Sequence, residues 1–346
     1  MSATIDDALE ILEGTGPEFG GGLSNHGPMA AEALLALGRD ADVIAWTENY
    51  KRRLREHPES RNPIGDDWQE ALGDGKRVGD WIAFFDRQLA EAPWRDVLNV
   101  WAARLAPGII AAATHGVIRT GHAVRSVAAQ ETSARLHELA EGLGYWATRY
   151  RTLPEASPGA TGTRLPSEAL GQVETVPEPA RRPVGLITEG LAPLDDLPSF
   201  ADATALVDAS GDPSRFVSDL TETFAGVYLA NASATGQVIT FIHSVTGPSA
   251  VRLMAPHLDD AALRVCLRYG WQAAAALYAS FGDTTAPGAI EEAADADDLI
   301  DRAVASGDEH AIKFTEACLR EHALNERPVY LAAAKHASGV LGGRAR

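Results

Sequence analysis

Apolar residues recur along this chain at spacings of three and four, which puts them on one face of a helix. The stretch PMAAEALLALG opens on Pro28 and closes on Gly38, the usual asymmetry of helix ends. Residues 41–56 carry Val43, Ile44, Trp46 and Tyr50 at helical spacing, and 76–90, 94–105, 107–129 and 132–149 read the same way. The pattern resumes at 213–233, 236–255, 258–281, 289–306, 308–323 and 328–340. The segment VITFIHSV is rich in β-branched and aromatic residues and leaves a short strand possible there. Nothing else alternates with period two for long, so the fold class expected is all-α.

Two stretches break the rhythm. Residues 14–22 (GTGPEFGGG) are glycine-rich, but no strand precedes them and their spacing is not GxGxxG, so they read as a plain loop leading into the first helix. Residues 153–198 hold eight prolines, at 154, 158, 166, 177, 179, 183, 193 and 198, with Gly, Ser and Thr between them. They read as an irregular surface excursion that divides one domain, 1–346, into two helical halves.

Composition narrows the function. With 30 basic against 48 acidic residues, the net charge is −18. Such a surface repels nucleic acid and anionic lipid, whose binding rests on Lys and Arg. Cys266 and Cys318 are far apart and form no CxxC pair, which argues against a disulfide framework and a thiolate zinc site. The acidic N-terminus lacks a signal pattern and no apolar run is long enough to span a bilayer, so the expected compartment is the cytoplasm.

Ten histidines remain to be explained. His57, His137, His257, His322 and His336 have polar, charged or proline neighbours and read mostly as surface positions. His26, His115, His122, His243 and His310 sit in apolar or glycine-flanked contexts. One such histidine is ordinarily a core residue with a satisfied hydrogen bond, whereas several on different helices point to a metal. There is no Glu-x-x-His, no HExxH, no GxSxG and no Walker loop, and the His-x-Asp of His257 and Asp259 lacks the barrel that usually carries a facial triad. His310 and Lys313 share a helix face. Lys313 is either an exposed partner of Glu309 or Glu316, or a buried amine of depressed pKa able to add carbon dioxide and offer carbamate oxygens to a metal. A faint internal echo links His115 to Ala123-Val124-Arg125 and His243 to Ala250-Val251-Arg252.

Four segments, in order, resemble the questin oxidase family: Asn25-His26-Gly27-Pro28 with ALLALG after it; HGVIR from His115 with Gly121-His122-Ala123; FIHSVT around His243; and HAIK from His310. The resemblance implies oxygen chemistry on anthraquinone-type aromatic polyketides, with Fe(2+) held by four histidines and a carboxylated lysine. Matched position by position, the metal ligands are His26, His115, His243, His310 and Lys313. The family pattern departs here: where it reads His-Pro-Leu-Ile-His-Leu-Gly-Tyr, this chain has Arg119 for the second His and His122 for the Tyr. His122 is thus a substitute ligand, a proton carrier or an outer group, and Arg119 either holds a phenolate or forms a surface salt bridge. The implied partners are a small aromatic substrate and dioxygen, with NADPH left open. Trp46, Tyr50, Trp81, Phe84, Phe85, Trp101, Phe241, Tyr269 and Trp271 could line an aromatic pocket, although most aromatics serve the core. The rivals are a helical binding protein for an apolar ligand and a metal-dependent hydrolase.

Overall fold

The computed structural model describes residues 4–157, 159–181, 185–284 and 295–343. Among these the chain is all-α apart from a two-stranded ribbon, β1 (Glu18–Phe19) and β2 (Leu23–Ser24). Its contacts form two compact units: Met1–Thr152 with Ala250–Cys266, and Leu153–Ser249 with Leu267–Arg346. The first break falls where the proline-rich stretch begins. No helix of the described residues is long and apolar enough to cross a membrane.

In the first unit, α1 (Ile5–Leu12) precedes the expected first helix. It begins in a capping box, in which the Thr4 hydroxyl accepts from Asp7 N–H and the Asp7 carboxylate accepts from Thr4 N–H. Residues 14–22 are therefore not a plain loop into the first helix. They join α1 to α2 (Gly27–Ala36) through the ribbon, whose turn uses the positive φ of Gly20, Gly21 and Gly22. α3 (Asp40–Lys51), α4 (Val78–Glu91) and α5 (Trp94–Leu105) follow the predicted pattern.

The long helix expected over 107–129 is shorter. A 3-10 turn at Ala106–Gly108 leads into Ala112, Ala113 and Thr114, all with positive φ, and α6 runs only His115–Ala129. α7 (Ser133–Thr148) packs against α1, α4, α5 and α6. It approaches α6 closely because Gly116 faces Trp146 and Gly142 faces Thr120; a Cβ on Gly116 would lie 2.7 Å from Trp146 Cα. Between α4 and α5, Trp81, Phe84, Phe85 and Trp101 meet mostly edge to face and are ordinary core.

The second unit opens with the excursion, where the irregular reading holds over the described residues; Pro158 and Pro183 lie outside them. It contains single turns, α8 (Pro166–Ala169) and α9 (Ile187–Gly190) among them, and is fastened along its length. Val176 N–H donates to Ala279 O, Trp271 Nε1 to Ala203 O and Tyr269 Oη to Glu155. Trp271 and Tyr269 are thus committed to tethering. α10 (Pro213–Asn231), α11 (Thr235–Met254), α12 (Asp260–Phe281), α13 (Ala296–Ser306), α14 (Glu309–Leu324) and α15 (Pro328–Gly342) follow; residues 289–294 of the helix expected over 289–306 lie outside the described residues.

The possible strand VITFIHSV is instead part of α11. Its buried apolar residues, Val238, Phe241, Ile242 and Val245, repeat every three to four positions, and Thr240 and Thr246 donate to the carbonyls four residues back. The burial period overrides the β propensity of the individual residues.

Candidate metal centre

His26 and His115 come together in the first unit. His26 caps α2, and its backbone N–H donates to the Tyr50 hydroxyl at 2.7 Å. The adjoining Asn25 braces the turn: its Nδ2 donates to Gly16 O and its Oδ1 accepts from Gly27 N–H. Gly27 packs tightly there, since a Cβ would lie 2.9 Å from a methyl of Leu12, which would have to shift.

His115 is the first residue of α6, reached through the left-handed Ala112–Thr114 turn. Left-handed backbone costs L-residues roughly 1–2 kcal/mol each, and strain of this kind is retained where the surroundings enforce it. The turn presents the Ala112 carbonyl to His115 Nδ1 at 2.5 Å. An acceptor there selects the Nδ1–H tautomer and leaves the Nε2 lone pair as the ligand. The His26 and His115 rings are 4.5 Å apart, with ligand nitrogens within 4.8 Å of each other, and both residues are buried.

His243, His310 and Lys313 belong to the second unit. His243, 1% exposed in the middle of α11, places Nδ1 2.7 Å from Ile239 O and is held in the same tautomer. Its ring lies 5.7 Å from that of His310. His310 stands in the first turn of α14, where Asp308 caps the helix through His310 N–H and places a carboxylate oxygen 3.4 Å from Nδ1. One turn further along α14, Lys313 is 2% exposed. Burial drives its pKa down to about 8 against the opposing pull of Glu309 and Asp308. The exposed-lysine reading is therefore excluded. The two halves of the internal echo share the Nδ1-to-carbonyl device but not its place, which is the start of α6 in one case and mid-helix in the other.

Arg119 and His122 are buried, and each faces carboxylates. Arg119 makes a bidentate pair with Glu138 at 2.6 and 2.7 Å and lies 3.1 Å from Glu141. Burial disfavours its charge, but the two carboxylates outweigh this and raise its pKa. Of the two roles expected for Arg119, the salt bridge is the one the structure displays, and it is buried rather than at the surface. His57 joins the same network, with Nε2 3.0 Å from Glu141 and a half-buried ring, so it is not a simple surface histidine. The helix expected over 41–56 ends at Lys51, so His57 lies beyond α3. Sequence reading passed over Glu138 and Glu141, although two acids three apart on a helix with few exposed positions are a signal of buried pairing.

His122 Nδ1 lies 2.7 Å from Glu32 Oε2, and Arg125 forks onto the same carboxylate. Burial raises the Glu32 pKa, but the His122 and Arg125 interactions together outweigh it and hold the carboxyl below its ordinary 4.5. A depressed carboxylate contributes stability above its unfolded pKa and loses it as pH falls through the folded value. Thermal unfolding followed from about pH 6 to about pH 3.5 should show an acid-side loss of stability that is shallower in Glu32→Gln. An unchanged acid slope in the variant would remove Glu32 from the account of acid stability.

The profile of the questin oxidase-like family matches residues 23–318. This chain belongs to the questin oxidase-like family. The match takes in all four segments that carry the resemblance, and the family's name points to oxidase chemistry. No curated protein matches the chain significantly.

Proposed function

We propose that this questin oxidase-like protein is a non-haem iron oxygenase acting on an aromatic polyketide of the anthraquinone type, with His26, His115, His243, His310 and a carboxylated Lys313 holding Fe(2+). The observation that carries the reading is that His115 and His243 each commit Nδ1 to a backbone carbonyl, the arrangement that frees Nε2 for a metal. The donor set fits a divalent ion: imidazoles suit iron, and a carbamate adds oxygen donors with one negative charge. Bound iron supplies the one-electron steps through which dioxygen reacts with a closed-shell aromatic.

The chain's own residues prepare the site. With a pKa of about 8, Lys313 keeps an appreciable neutral fraction near neutrality. The neutral amine attacks carbon dioxide, an N–C bond forms and one proton leaves, giving an anion where an ammonium would repel the ion. His122 is the proton carrier in this reading, since a carboxylate at Nδ1 makes an imidazole more basic and fixes its orientation.

Two measurements test the proposal. Dioxygen uptake with a hydroxylated anthraquinone is expected, and NADPH followed in the same assay shows whether a nicotinamide supplies electrons. Native mass spectrometry of metal-loaded protein should show the mass of one added carbon dioxide, lost on acidification and absent in Lys313→Met. Uptake without that added mass would retain the oxygenase and remove the carbamate, whereas no uptake with any hydroxylated anthraquinone would remove the proposed substrate.

A further inference from the structure

The aromatic residues of α3 are arranged around the main chain of His26. Trp46 stacks on Tyr50 with ring centroids 4.9 Å apart, the Arg53 guanidinium lies 4.4 Å from the Tyr50 centroid, and Phe19 meets the ring edge to face at 6.3 Å. These contacts fix the ring of Tyr50, which is 1% exposed, and with it the place of the hydroxyl. That hydroxyl accepts from His26 N–H at 2.7 Å. On the other side of His26, buried Asn25 uses both ends of its amide: Nδ2 donates to Gly16 O at 3.0 Å and Oδ1 accepts from Gly27 N–H at 2.9 Å. Pro28 has no N–H to satisfy. The donors that open α2 are therefore accounted for by Tyr50 and Asn25.

Between these bonds His26 has φ −95° and ψ −4°, the sparsely allowed bridge region in which many active-site residues sit. Backbone of this kind persists where its surroundings hold it. With the main chain pinned on both sides, only the side-chain torsions of His26 are left to set its imidazole. A ligand ordered before the ion arrives binds without the loss of freedom that ordering costs. We infer that Tyr50, with Asn25, is a positioning residue for His26: its hydroxyl fixes the main chain from which the imidazole extends, and it acts on metal affinity through that imidazole. This role rests on the reading of His26 as a metal ligand.

The test is a double-mutant cycle on the full chain. Fe(2+) affinity is measured anaerobically in bicarbonate buffer by competition with a chromophoric chelator, and the melting temperature of the metal-free protein by circular dichroism. Tyr50→Phe keeps the stacked ring and takes the acceptor from the buried His26 N–H. It should lose about tenfold in Fe(2+) affinity and about 5 °C in melting temperature. In a His26→Ala background the main-chain bond is still there to break, so the same fall in melting temperature should recur. The affinity, however, should change by less than about twofold, because no imidazole remains to be misplaced. Asn25→Ala should follow the same pattern, and it decides the matter if Tyr50→Phe does not fold. Equal losses of affinity in the two backgrounds, or no loss in either, would overturn the positioning role and leave the metal centre standing. A parent chain that binds no Fe(2+) would overturn the centre itself, and the role of Tyr50 with it.

Discussion

His115→Ala should lose at least about a hundredfold in metal affinity, and dioxygen uptake with it, because in the proposed centre it removes a ligand rather than an outer partner, whose loss alone costs 10–100-fold. The substitution also removes the imidazole that contacts the Ala112 carbonyl of the left-handed Ala112–Thr114 turn. Loss of an ion that binds only the folded state lowers stability as well, by about 4 kcal/mol where the ion stands at a thousand times its dissociation constant. Activity is therefore compared at a temperature where circular dichroism shows both proteins folded. His57 is not a neutral control, since it pairs with buried Glu141. Arg302→Ala serves instead: its pair with Asp298 is exposed and such pairs contribute little. Should His115→Ala match the Arg302→Ala control in metal content and oxygen uptake, His115 is not a ligand.

The largest loss of stability without direct loss of a ligand is expected from Arg119→Met. The guanidinium lies between Glu138 and Glu141, both almost fully buried. Removing it leaves two carboxylates close together, with the His57 and His137 imidazoles beside Glu141 in place of a permanent positive charge. Breaking a buried pair in this way costs about 3–5 kcal/mol, or a fall of roughly 10 °C in melting temperature for a unit of this size. The triple change Arg119→Met, Glu138→Gln, Glu141→Gln should recover part of the loss, because the penalty comes from stranded charge rather than from packing. A single variant that melts within about 1 °C of the parent would show that the network contributes nothing to stability.

Helix periodicity carried most of the fold, because most helices bury one continuous stripe. It failed where another constraint ruled. α1 carries a capping signal in Thr4 and Asp7 and an apolar stripe at Ile5, Ala8, Leu9 and Leu12, but it is only two turns long and was passed over beside the longer patterns. VITFIHSV has the composition of a strand but the burial period of a helix. The break before His115 has no glycine or proline at Ala112–Thr114 to mark it, since the backbone is held there by its surroundings rather than by local preference.

At the site, the segment matches located candidate ligands but not their tautomers, which depend on carbonyls that the fold brings to Nδ1. The buried carboxylates Glu32, Glu138 and Glu141 were missed because each is paired by residues on another helix, or on a neighbouring turn, in ways that sequence spacing does not display. His57 was misjudged for the same reason: its polar neighbours suggest solvent, whereas its ring reaches Glu141 across 84 positions of sequence.

Metal content tests the central claim most directly. The full chain, loaded anaerobically with Fe(2+) in bicarbonate buffer and freed of excess ion, should retain about one iron per chain by elemental analysis, as a set of four imidazoles and one carbamate requires. His243→Ala and His115→Ala should each abolish retention, since all the proposed ligands serve one ion. Full iron retention by either variant, or no iron retained by the parent, would contradict the account.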